Sequence, residues 1–141
     1  MKKLLSSEKI NKIRQHKVVR QFVKFAIVGA TAFVIDMLGY VLFTRYFLIH
    51  HIVAKVMSFF VASYYSYEMN SRWSFRRKEL RSTKLLIKSY IVQCVGATIN
   101  ASGLYLFFDI IGYHEFLALI IATFFSTIWN FIMNKFWVYR A

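Results

Sequence analysis

Residues 22–43 read FVKFAIVGATAFVIDMLGYVLF, 22 positions with only two charged side chains, Lys24 and Asp36. A helix rises ~1.5 Å per residue and membrane hydrocarbon is ~30 Å thick, so roughly 20 apolar residues suffice to cross it. This run meets that requirement. Three more do so at about 52–70, 85–108 and 116–134. The connections at 44–51 and 109–115 are short, which predicts two antiparallel helical hairpins joined by one longer loop at 71–84. The expected architecture is an all-α membrane protein of four transmembrane helices, with a basic segment over residues 1–21 and the membrane domain over 22–141. The first run is long and lacks a small-residue cleavage site after it, so it is expected to stay as the first span.

The charges argue in the same direction. The chain of 141 residues is 58% hydrophobic and carries 19 Lys and Arg against 6 Asp and Glu. In a soluble protein a formal charge of +13 would suggest nucleic acid as the partner. Here the cations flank apolar runs, which fits anionic membrane lipids and excludes a nucleic-acid role. Residues 1–21, the loop 71–84 and the tail with Lys135 and Arg140 hold fifteen of the nineteen cations. Basic residues in short loops stay on the cytoplasmic side, so both termini and the central loop are expected there. The same bias separates the chain from small multidrug exporters with dual topology, whose insertion requires almost none.

The two hairpins resemble one another. Val28-Gly29-Ala30-Thr31 recurs as Val95-Gly96-Ala97-Thr98, and Asn70-Ser-Arg-Trp73-Ser-Phe75-Arg76 recurs as Asn134-Lys-Phe-Trp137-Val-Tyr139-Arg140. Ahead of each Asn runs a stripe at four-residue spacing: Ser58, Ala62, Ser66, Asn70, and Ala122, Ser126, Asn130, Asn134. Small and polar residues on one face let helices approach closely and bond across the seam. Both hairpins start on the same side, so they read as parallel repeats about a pseudo-twofold axis along the membrane normal. The aromatic residues need be no more than an interfacial belt. Asn70 and Asn134 are expected to have a role where the repeats meet.

Asp36 is the most informative single position. A carboxylate near a helix centre costs about 2.5 kcal/mol or more on insertion scales, so it requires a partner or a function. Lys55 enters from the same side, and an Asp36–Lys55 ion pair and a direct transport role both remain open. Glu68 can reach the interface or pair with Arg72 one turn on. Cys94 stands alone and is expected to be a small buried hydrophobe. Neither a metal ligand set nor a cofactor site is indicated.

These residues carry a resemblance to the GtrA family that covers about 22–140. Its marks are the basic entry to helix one with Phe25-x-x-Val28-Gly29, Asp36 seven residues after that glycine, and the two Asn-x-x-Trp-x-aromatic endings. The resemblance implies a protein of the bacterial cytoplasmic membrane that moves a polyprenyl-phosphate-linked monosaccharide to the outer leaflet. There a separate cell-envelope glycosyltransferase would use it to decorate O-antigen, teichoic acid or a related polymer. The third helix departs from simple duplication, since Gly103 takes the place of Asp36 and Asn100 lies one turn earlier.

Such a substrate presents an anionic phosphate and a hydroxyl-rich sugar. Arg and Lys suit the phosphate, and Asn or Gln amides suit the hydroxyls as donors and acceptors. Candidates at the mouth are Lys24, Arg72 and Lys135 first, then Arg76, Lys88 and Arg140. Asn70 and Asn134 are expected beside them, forming a polar ring with Arg72 and Lys135. Deeper polar groups are Asp36, Gln93, Asn100 and Asn130. No enzyme is expected: there is no glycine-rich phosphate loop, and Asp36 and Asp109 make no paired acidic motif. The other readings are a membrane anchor that recruits a glycosyltransferase, and a small multidrug-type exporter. A homodimer is left open.

Overall fold

The computed structural model describes residues 2–76 and 82–139, with side chains from residue 6. Arg140, named above, lies outside these. Every described element is helical: α1 (Lys2–Val41), α2 (His51–Met69), α3 (Thr83–Leu104) and α4 (Glu115–Met133). Each widens into a π-helical last turn, at Leu42–Tyr46, Asn70–Ser74, Tyr105–Ile110 and Asn134–Val138. The turns close alike, with the next N–H bonded five residues back: Phe47 to Leu42, Phe75 to Asn70, Ile111 to Leu106 and Tyr139 to Asn134. After three of them comes a left-handed residue, Leu48 (φ 53), Arg76 (φ 46) and Gly112 (φ 84). Residues 1–21 had been set apart as a basic segment. In the structure residues 2–21 are continuous with the first membrane helix.

Among the described residues three helices are long and apolar enough to cross a membrane: Ser6–Tyr46, Thr83–Ile110 and Glu115–Val138. The segment expected as the second span forms α2, which is more polar, carrying Lys55, Ser58, Ser63, Ser66 and Glu68. It lies antiparallel along α1, with Gly39 against Ser58 and Lys24 against Trp73. Large apolar side chains such as Phe33, Leu38 and Phe124 point outward, while the hairpin seams are built from Ala and Ser. This inversion is what lipid as solvent requires. Cys94, expected to be buried, faces outward with them.

The seams set the repeat register. Ala54, Ser58 and Ala62 on α2 and Ala118, Ala122 and Ser126 on α4 are buried, each pair 64 residues apart (118 − 54). A Cβ at Gly39 would come within 3.2 Å of Ser58 Cβ, and one at Gly103 within 3.1 Å of Ala122 Cβ. The same interval, 64 (114 − 50), joins His50 and His114, whose Nδ1 atoms cap α2 and α4 by accepting from Ile52 and Phe116 N–H. It also joins Val28 and Val92, each 1% exposed. The match of Val28-Gly29-Ala30-Thr31 to Val95-Gly96-Ala97-Thr98, at an interval of 67 (95 − 28), is therefore a correction. Small residues recur often enough to match by chance, whereas contact with the facing helix admits one register. In that register Asp36 corresponds to Asn100 and not to Gly103.

The hydrogen bonds and ring contacts between hairpins gather from mid-helix toward the Trp73 and Trp137 end. Phe75 stacks on Tyr139 at 4.9 Å with 15° between planes. Phe131 packs edge-on against Phe22 and Phe25. The Tyr139 hydroxyl donates to the Tyr67 carbonyl at 3.1 Å, and Ser71 Oγ lies 3.1 Å from that hydroxyl. Burial raises the Tyr139 pKa, which keeps the group a neutral donor.

Candidate functional site

Where α1 passes the end of α2, residues Lys17, Arg20, Gln21 and Lys24 share one helical face, at spacings of three and four. The π-turn after α2 and its left-handed exit bring Ser74, Phe75 and Arg76 opposite that face. Together the seven line an open cleft of about 390 Å³. Four of them are cations, and no acidic residue is among them. Lys24 Nζ sits 5.3 Å from the centre of the Trp73 ring and donates to the Trp73 carbonyl at 3.4 Å. Phe75, stacked on Tyr139, ties the cleft wall to the junction of the repeats. Four cations with an amide and a hydroxyl have the chemistry to hold a phosphate and a hydroxylated group beside it.

Of the residues expected at the mouth, Lys24 and Arg76 line this cleft. Arg72 does not: its Nε donates to Glu68 Oε2 at 2.9 Å along α2, the alternative weighed for Glu68. Lys135 reaches the rim indirectly, donating to Gln21 Oε1 at 3.1 Å. Asn70 and Asn134 do not form the polar ring. Both are buried, and their amides serve their own helix ends. Asn70 Nδ2 donates to Ser66 Oγ at 3.2 Å and its Oδ1 accepts from Ser74 at 2.9 Å; Asn134 Nδ2 donates to the Asn130 carbonyl at 2.7 Å. Each Asn begins a π-turn and bonds to residues one turn away in its own helix.

The deeper polar groups lie along the hairpin seams. Asp36 forms the ion pair with Lys55 and accepts from Ser58 Oγ at 2.6 Å. Asn100, its counterpart, donates instead to Thr123 and Ser126 at 3.2 and 3.3 Å. Gln93 donates to Ser89 at 3.1 Å. Asn130 sits against Gly96, so closely that a Cβ there would lie 2.4 Å from Oδ1. That Oδ1 is buried and has no hydrogen-bond partner among the described residues. An unpaired amide oxygen away from water costs about 1 to 3 kcal/mol.

Sequence reasoning passed over Lys17, Arg20 and Gln21, which it assigned to a topology-setting tail. The spacing 17, 20, 21, 24 was the available signal, once α1 is continued backward as one helix. Among the described residues no group of His, Cys, Asp or Glu could hold a metal.

A family model described as the GtrA/DPMS transmembrane domain matches residues 24–139. Comparison with curated proteins returns no match.

Proposed function

The chain belongs to the GtrA/DPMS transmembrane family, and from that premise we propose that it passes a polyprenyl-phosphate-linked monosaccharide from the inner to the outer leaflet of a bacterial cytoplasmic membrane. The multi-pass helical fold and the family support a role in polyprenyl-phosphate sugar processes. The observation that carries the finer reading is the cleft of Lys17, Arg20, Lys24 and Arg76, with Gln21 and Ser74 among them. In this reading the cleft opens to the cytoplasm, where the cation-rich segments are retained. Its cations take the phosphate through charge-assisted bonds, the neutral groups take sugar hydroxyls, and the prenyl tail stays in lipid. The protein breaks no covalent bond and needs no cofactor; a glycosyltransferase on the far side consumes the sugar.

Purified protein in liposomes, given a short-chain polyprenyl-phosphate sugar on one side, tests this directly. Transbilayer movement above protein-free vesicles is expected, with loss on Lys24→Gln/Arg76→Gln. Binding without movement would favour the second reading, a membrane partner that recruits a glycosyltransferase. The exposed basic stretch of α1 before Arg20 supplies a surface for that role.

A further inference from the structure

The cleft belongs to one repeat, and the register carries its cations into the other. Lys84 stands 64 residues after Arg20 (84 − 20), and Lys88 stands 64 after Lys24 (88 − 24). The correspondence is spatial as well: Lys88 Nζ lies 5.2 Å from the Trp137 ring centre, as Lys24 does 5.3 Å from Trp73. Tyr139 holds the register position of Phe75, and the two rings stack. No ion pair among the described residues engages Lys84 or Lys88. They lie four apart on one face of α3, where like charges repel unless an anion joins them.

We propose that the second repeat carries a second lipid-phosphate site, built on Lys84, Lys88 and Trp137. It rests on the phosphate-cleft reading above and differs from that cleft in one chemical respect. The neutral hydrogen-bonding groups of the first cleft are replaced: Gln21 by Leu85 and Ser74 by Val138, which is buried. Charge and an aromatic wall remain, while the partners for sugar hydroxyls are gone. The second site therefore takes a bare phosphate on a lipid, either the polyprenyl carrier without its sugar or an anionic phospholipid. The first cleft takes the lipid phosphate with or without its sugar. Two headgroups can then occupy the same end of the protein at once, one per repeat.

Native mass spectrometry of the full chain in detergent, with short-chain polyprenyl phosphate as the probe, counts the sites. Wild type should bind two molecules, Lys84→Gln/Lys88→Gln one, Lys24→Gln/Arg76→Gln one, and the four changes together none. Lys84→Arg/Lys88→Arg should keep both, which guards against a folding defect. Excess phosphatidylglycerol names the source: displacement from the second site identifies bulk anionic lipid, and resistance identifies the prenyl carrier, either result upholding a lipid phosphate there. The glycosylated probe should bind once and be lost only with Lys24 and Arg76. Binding sensitive to Lys24 and Arg76 but unaffected at Lys84 and Lys88 would overturn the second site and leave the first standing. Sensitivity at Lys84 and Lys88 alone would overturn the first.

Discussion

Phe75 and Tyr139 occupy the same place in the two repeats, and they stack on each other at 4.9 Å. A residue that meets its own counterpart marks the pseudo-twofold axis. This contact lies among the side chains that couple the halves. Phe75→Ala removes the stack together with the ring contacts to Phe25 and Phe131, and should cost about 2 kcal/mol or more. Tyr139→Phe keeps the ring and loses the bond to the Tyr67 carbonyl, for a cost of about 1 kcal/mol. Unfolding in mixed micelles would measure both, and a larger loss for Tyr139→Phe would contradict stacking as the principal tie.

Within the cleft, Lys24→Gln or Arg76→Gln should weaken binding of a polyprenyl-phosphate sugar at least tenfold, since a charged hydrogen bond contributes about 1.5 to 3 kcal/mol. Arg72→Gln should change it little, because that guanidinium is held by Glu68. A headgroup titration in detergent separates them. Equal loss at Arg72 would return it to the site.

Asp36 and Lys55 are unequally placed, with side chains 13% and 55% exposed. Asp36→Asn leaves Lys55 able to reach the interface by its flexible stem. Lys55→Met leaves a carboxylate enclosed beside Ser58 with nothing to neutralise it. The Lys55 change should therefore lower the yield of folded protein more than the Asp36 change. The double variant should recover the yield, and its transport activity then decides whether Asp36 acts beyond charge balance.

The proposed topology has the cation-rich end inside. Against a Cys94→Ser background, required because Cys94 faces outward, Glu79→Cys should be shielded from an impermeant thiol reagent in intact cells and Tyr113→Cys labelled. Position 79 lies in the loop outside the described residues. Labelling of both from outside would refute the shared orientation of the hairpins.

Read alone, the sequence determined the helices and their hairpin pairing, and offered the Asp36–Lys55 and Glu68–Arg72 pairs as alternatives that the structure selects. Apolar length belongs to each segment by itself, and charges one turn apart, or facing each other across a short loop, have little choice of partner. Only the tertiary structure decided the repeat register, because it depends on which small residues face each other across a seam: Gly39 on Ser58 and Gly103 on Ala122. It also decided which cations act together. Lys17 and Arg20 join Lys24 because α1 runs unbroken past the end of α2, and Arg76 joins them because a wide turn and a left-handed residue bend the chain back. Asn70 and Asn134 went the other way, into their own helix ends, since a buried amide bonds to the polar groups nearest it, Ser66 and Ser74 for one and the Asn130 carbonyl for the other.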